Sequence, residues 1–267
     1  MTASSLRVTY IGGPTALIEL DGVRFLTDPT FDPAGTSYET PVYTLHKTMD
    51  PAVSVANVGD VDAVLLSHDH HFDNLDRSGR TLLARARRVI APPAGAERLG
   101  EGASGLAAWQ SLVIQGSSGR RVRLTGTPAR HGPADGDRGP VVGFLLESAD
   151  VALGSERPAV YISGDTVWYE QLAEIPRRMD VRVAFLFMGA ARVREVGTAH
   201  LTMTAKEGVL AARAMPRAAI VPLHYEGWAH YSQSRTEIEP AFAAAGMSDR
   251  LRWLPPGREV SFEELAV

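Results

Sequence analysis

Four short apolar runs in this chain, VDAVLLS, RLTGTPAR, VYISG and AIVPL, each stop at a histidine or an aspartate: His68, His131, Asp165 and His224. Polar residues that follow strands collect along one edge of a sheet, where loops carry chemistry on a rigid scaffold. Taken alone, each residue has an ordinary explanation as a hydrogen-bonded histidine or a turn aspartate. Together they restrict the fold to one that brings several strand ends to one place.

The densest of these ends is SHDHHFDNLD, residues 67–76, with three histidines and three aspartates. Residues two apart in extended backbone share a face, so His68 and His70 are expected to point at one ion. Zinc takes imidazole nitrogen at about 2.0–2.1 Å and, in catalytic sites, three protein ligands with an open position. Two histidines therefore need help from the other strand ends. The chain has no cysteine, which leaves nitrogen and oxygen as the only ligands and removes thiol nucleophiles.

Further runs, LRVTYIGG, ALIEL and VRFLTD, are rich in branched and aromatic residues and are separated by Gly12-Gly13-Pro14 and by Asp21-Gly22, which reads as a hairpin turn. Later strand-like runs alternate with helical segments. Two of these segments open on the Ser/Thr-x-x-Glu capping pattern, Thr204 to Glu207 and Ser234 to Glu237. PPAGAERLGEGASG and HGPADGDRGP read as loops. The segment from Thr36 to Asn57, with His46, has weak periodicity and could lie over the site. No linker divides the 267 residues, so one domain spanning 1–267 is expected.

A formal charge of −4 without a basic tract argues against a nucleic-acid partner. No apolar stretch is long enough for a membrane span, and the first residues lack a charged segment followed by an apolar signal core. The expectation is a cytoplasmic protein with a small-molecule substrate and no membrane partner, self-association into a homo-oligomer being left open. Ser67 sits in no Gly-x-Ser-x-Gly turn, which places a serine triad well below a metal site.

The succession SHDHHFDNLD, TPARHGP, SGDT and VPLHYEG resembles the motif series of the metallo-β-lactamase superfamily, and YIGGPTALIELDGVRFLTDPTFDP is similar to the N-terminal hairpin of its ascorbate-phosphate-lactonase-like branch of metal-dependent hydrolases. The resemblance runs from about residue 6 to residue 255. It implies an α/β fold, a four-layer αββα sandwich, with two divalent ions at one edge of the two sheets. His68, His70 and His131 match the three-histidine site, Asp165 the bridging aspartate and His224 the last histidine of the second site. The family pattern His-x-His-x-Asp-His is broken here. Counted from His70, one extra residue precedes Asp73, and Asn74 stands where the next histidine belongs. Asp73 reaching the second metal, with Asn74 as a weak oxygen ligand or a hydrogen-bonding substitute, is one repair; His71 swinging in to replace the imidazole is the other.

Oxygen ligands would soften the preference for zinc, the leading metal, toward manganese or iron. Asp73, Asp165 and His200 are the candidate catalytic residues. His71, Arg192, Tyr225 and His230 are candidates for substrate contact, and Arg194 beside Arg192 could also meet an acidic group. The chemistry expected is hydrolysis of an ester, lactone or phosphodiester by a metal-bridged hydroxide. The alternatives are an iron-dependent oxidoreductase of the same fold and a non-catalytic protein with a single metal.

Overall fold

The computed structural model describes residues 5–133, 138–150 and 158–262. In chain order the strands are β1 (Leu6–Gly12), β2 (Thr15–Leu20), β3 (Val23–Thr27), β4 (Ser37–Glu39), β5 (Thr44–His46), β6 (Ala63–Leu65), β7 (Val89–Ala91), β8 (Ala103–Gly105), β9 (Ser111–Gln115), β10 (Arg121–Thr127), β11 (Gly143–Ser148), β12 (Pro158–Ile162), β13 (Asp180–Phe187), β14 (Ala219–Leu223) and β15 (Glu259–Phe262). The α-helices are α1 (Arg77–Leu83), α2 (Pro93–Leu99), α3 (Ile175–Arg178), α4 (Ala205–Ala214) and α5 (Arg235–Ala244).

Two sheets hold these strands, seven in the order β15-β1-β2-β3-β6-β7-β8 and six in the order β14-β13-β12-β11-β10-β9, with β4-β5 as a separate hairpin. Between the sheets, Leu6, Val8, Phe25 and Leu65 of the first meet Leu124, Phe144, Val160, Phe185 and Val221 of the second. Outside the second sheet, Tyr161, Ala184 and Leu186 pack against Val209 and Ala212 of α4 and Ile238 and Phe242 of α5. Outside the first, Leu26, Val64 and Leu66 pack against Leu75 and Leu82. Burying both faces of both sheets yields the αββα sandwich that the resemblance implied.

Local chemistry explains the entry and exit points. Asp21 and Gly22 have φ of 52° and 79°, the positive values that a two-residue turn matching strand twist requires. Both capping boxes form, Thr204 on α4 and Ser234 on α5; each such cap contributes about 1 kcal/mol. PPAGAERLGEGASG departs from the expected loop, because α2 and β8 lie within it. Proline at the first helical turn is compatible with a helix start, and two of the glycines, Gly95 and Gly105, fit tight packing, while Gly100 and Gly102 turn the chain at positive φ. A Cβ at Gly95 would approach Asp69 Oδ1 at 2.9 Å. Of HGPADGDRGP, residues 134–137 lie outside the described residues.

Strand direction decides where the functional residues gather. β12, β13 and β14 are mutually parallel, and β10 and β12 are both antiparallel to β11. The C-terminal ends of β10, β12 and β14 therefore share an edge. Among the described residues no helix is long and apolar enough to cross a membrane.

Candidate metal centre

The turn after β6 places the first residues. Its backbone closes on His71, whose carbonyl accepts from Asn74 N at 3.2 Å and Leu75 N at 3.0 Å. Asp76 then caps α1, accepting from Gly79 N at 2.7 Å, while its second oxygen takes Asp32 N at 2.6 Å and the buried Lys47 ammonium at 3.2 Å. At Gly79 a Cβ would sit 1.8 Å from Pro29 O, so this crossing admits only glycine. The turn is thus held rigidly at both ends.

Among the described residues, two groups able to hold a metal ion result, His68 with His71 and His131, and Asp73 with Asp165 and His224. In the first, His71 Nδ1 lies 2.9 Å from His68 Nε2 and 3.1 Å from His131 Nε2. Ligands bonded to one ion at about 2.0–2.2 Å are separated by roughly 2.8–3.6 Å in octahedral or tetrahedral arrangements. Three converging ring nitrogens cannot all satisfy one another by hydrogen bonds, whereas one cation satisfies them together.

The outer atoms of two rings select the tautomer for this task. Ser67 Oγ gives its proton to Asp28 Oδ1 at 2.9 Å, so it accepts from His68 Nδ1 at 3.0 Å and leaves the His68 Nε2 lone pair free. His131 Nδ1 donates to Leu201 O at 2.8 Å with the same consequence at Nε2. Burial, followed by the neighbouring histidines, holds His68 well below the usual imidazole range. Burial and His131 bring His71 down to about 3. Burial brings His131 to about 4, against the opposing bond to Leu201 O. All three rings stay neutral and able to donate electron pairs at pH 7.

In the second group, His224 Nε2 lies 3.3 Å from Asp73 Oδ2 and 3.4 Å from Asp165 Oδ1. The His224 ring is stacked on Phe187, with Tyr231 on it at a centroid distance of 4.2 Å. Its φ is 55°, a strained backbone of the kind tolerated where position matters. Asp165 links the groups, since its other oxygen, Oδ2, lies 3.6 Å from His131 Nε2. Burial and then the charges of Asp73 and Asp28 push the Asp165 carboxyl well above the usual range. Burial acts the same way on Asp73, but His230 and His224 outweigh it and hold that carboxyl well below. Asp165 Oδ2 and both His224 ring nitrogens are buried without a hydrogen-bond partner, an arrangement that costs about 1–3 kcal/mol per group unless a cation supplies the missing interaction. Mixed oxygen and nitrogen donors with orphaned buried atoms fit divalent metal.

Several sequence expectations change. His70 belongs to neither group: its Nε2 is 2.7 Å from Arg138 O, and His71 occupies the position expected of it. The alternation rule fails because the strand ends at Leu65 and the chain bends through residues 69–70. Counted from His71, the letters His71-Phe72-Asp73-Asn74 follow the family pattern up to the last position, so the extra residue precedes the second histidine. Asn74 donates its amide nitrogen to Asp165 Oδ1, 3.1 Å away, the hydrogen-bonding role, while its Oδ1 is buried without a hydrogen-bond partner. His71 belongs to the first cluster and also lines the adjoining cavity.

His230 Nε2 donates to Asp73 Oδ2 at 3.0 Å, and the ring lines the adjoining cavity. His200 falls in neither cluster and does not line that cavity; its neighbour Leu201 lines the cavity, and its carbonyl accepts from His131 Nδ1. Arg192 and Arg194 are exposed and do not line it. Tyr225 is core, packed with the α4 and α5 side of the second sheet and stacked on Tyr10. His46 is on β5 with Nδ1 2.9 Å from Ser37 Oγ, although its hairpin does cover the site through Tyr43 and Leu45.

The cavity measures about 160 Å³ and is lined by Tyr43, Leu45, Val193, Val196 and Leu201 on its walls and by His71, Asp73, His131 and His230 at the metal side, with Arg138 and Ala191 between. Arg138 and Tyr43 escaped sequence reasoning because neither belongs to a motif; the signal for Arg138 was an arginine seven residues after His131 in a glycine- and proline-rich loop.

An αββα sandwich with two adjoining groups of metal-binding side chains at the strand ends defines a class of metal-centred fold. A family model described as a beta-lactamase superfamily domain matches residues 23–225, and the chain belongs to that family. It is similar to a UPF0173 metal-dependent hydrolase of Ignicoccus hospitalis, 24% identical over 268 residues and covering 97% of this chain and 99% of that protein. Among solved structures it resembles a possible metal-dependent hydrolase from Veillonella parvula, with TM-score 0.80, 20% identity and coverage of 98% and 100% of the two chains. It also resembles an isothiocyanate hydrolase from Delia radicum gut bacteria, with TM-score 0.79, 20% identity and coverage of 96% and 99%.

Proposed function

We propose that the protein is a metal-dependent hydrolase of a small molecule with an ester, lactone or phosphodiester-type centre, carried by two divalent ions, one at His68, His71 and His131 and one at Asp73, Asp165 and His224. The observation that carries this reading is Asp165, whose two oxygens face one group each, 3.6 Å from His131 Nε2 and 3.4 Å from His224 Nε2. A pair of divalent ions supplies acidified water and Lewis acidity. The chain's own part is positioning. Asp165 spans the groups, Asn74 orients Asp165, Ser67 and Leu201 O fix the rings of His68 and His131, and His230 steadies Asp73. Tyr43, Leu45, Val193, Val196 and Leu201 give the cavity a mostly apolar wall beside the two groups.

Metal analysis of the purified protein combined with a screen of generic ester, lactone and phosphodiester substrates tests the reading. Two ions per chain and hydrolysis that disappears on chelation are expected; full turnover in the chelated protein contradicts it. Zinc suits the imidazole group, while the two carboxylates of the second favour manganese or iron there. The same carboxylates support a second reading, an iron-dependent oxidoreductase, which a coloured iron centre with oxygen consumption would establish. One ion per chain without hydrolysis would leave a metal-binding protein only.

A further inference from the structure

The cavity carries a charge that the metal chemistry does not use. Among the described residues lining it, Arg138 is the only one with a fixed positive charge, set in walls that are otherwise mostly apolar. One end of its guanidinium is held, Nη2 donating to Val196 O at 2.5 Å, while Nε is buried without a hydrogen-bond partner. A guanidinium that lines a cavity with one edge tied to a carbonyl is oriented to offer its remaining donors to an oxyanion. Its backbone is fixed on both sides, Arg138 N donating to His131 O at 2.8 Å and Arg138 O lying 2.7 Å from His70 Nε2. The next residue, Gly139, has φ of 103°, and a Cβ there would approach His70 Nε2 at 3.1 Å. The chain thus uses His70, left out of both metal groups, to pin the loop that presents Arg138.

We propose that Arg138 is a specificity-determining residue that seats an oxyanion of the substrate, with His70 as its positioning residue. The rest of the substrate is a compact apolar group, because a cavity of about 160 Å³ is close to the roughly 150 Å³ that accommodates benzene. The substrate class is therefore a small aryl or alkyl compound bearing a carboxylate or similar anion, cleaved beside the paired groups. This rests on the proposed hydrolase reading for the position of the reacting bond, although not for the anion site itself.

Equilibrium binding of benzoate and of neutral benzamide to the metal-loaded protein tests it. The native protein should prefer benzoate by about ten- to a hundredfold, as a hydrogen bond to a charged group commonly contributes. Arg138→Met should abolish that preference with metal per chain unchanged, and Arg138→Lys should restore part of it. His70→Ala should weaken benzoate by about three- to tenfold, again with full metal. No preference for benzoate in the native protein, or the same preference in Arg138→Met, overturns the proposal; the latter result would mean that the carboxylate sits on metal alone. Loss of metal in His70→Ala would overturn the positioning role. Because binding is read apart from turnover, an intact Arg138 effect without any hydrolysis would refute the hydrolase reading alone.

Discussion

The two groups of side chains at the strand ends solve the same problem by different means. His68, His71 and His131 are three neutral rings, two of them turned by partners behind them, Ser67 and Leu201 O. Asp73, Asp165 and His224 offer two carboxylates and one ring, and both nitrogens of that ring lack a hydrogen-bond partner. The first group is organised by hydrogen bonds before an ion arrives; the second relies on negative charge to attract one. Asn74, placed where the family pattern has a histidine, turns the second group from imidazole toward oxygen and serves by orienting Asp165.

The largest expected effect breaks the comparison outright. Asp165→Asn removes the charge that the two groups share, so turnover should fall by about a thousandfold or more, and metal analysis should show the second ion lost with part of the first retained. Unchanged turnover would reduce Asp165 to a turn residue.

A smaller, paired effect sharpens it. Ser67→Ala removes the acceptor behind His68, and Asn74→Ala removes the donor to Asp165. Each should cost about ten- to a hundredfold in metal affinity, but at different ions: the first group for Ser67→Ala, the second for Asn74→Ala. Metal titration followed by a spectroscopically active divalent ion such as cobalt separates the two. Identical losses in both variants would mean that the groups do not act independently.

Chelator dialysis probes the same difference without substitution. The ion among the carboxylates, having one imidazole where the other has three, should leave first, giving a species with about one metal per chain; simultaneous loss would contradict the ranking.

Smallest at neutral pH is the effect of protons on metal-free protein. His71 and His131 titrate at about 3 and about 4 when folded, below the ordinary value near 6.5. The unfolded chain therefore binds protons first as pH falls. The stability these neutral rings contribute is present above about pH 6.5 and is lost as pH drops through 4 to 3. Thermal unfolding across that window should show a steep fall in the metal-free protein; a flat profile would mean that the rings are not buried as described.

Much of this arrangement was legible in the residues. Runs ending at His68, His131, Asp165 and His224 are strands or strand ends, and parallel strand direction gathers the last three at one edge. The Asp21-Gly22 turn and both capping boxes form because each depends on only a few adjacent residues. The choice of His71 over His70 was not legible, since it depends on where β6 stops and the chain begins to bend, and spacing along a strand says nothing beyond its end. His230 was legible as a candidate for the cavity, where it lies, but not its contact with Asp73, 157 residues away; Arg138 was harder still, since it reaches the cavity only through contacts with His70, His131 and Val196.

Anomalous diffraction from crystals grown with zinc or manganese tests the central claim most directly. Two peaks should appear about 3.5–4 Å apart, as paired-ion sites show, one enclosed by His68, His71 and His131 and the other by Asp73, Asp165 and His224, with His70 on the carbonyl of Arg138. A single peak, or an ion coordinated by His70, would contradict it.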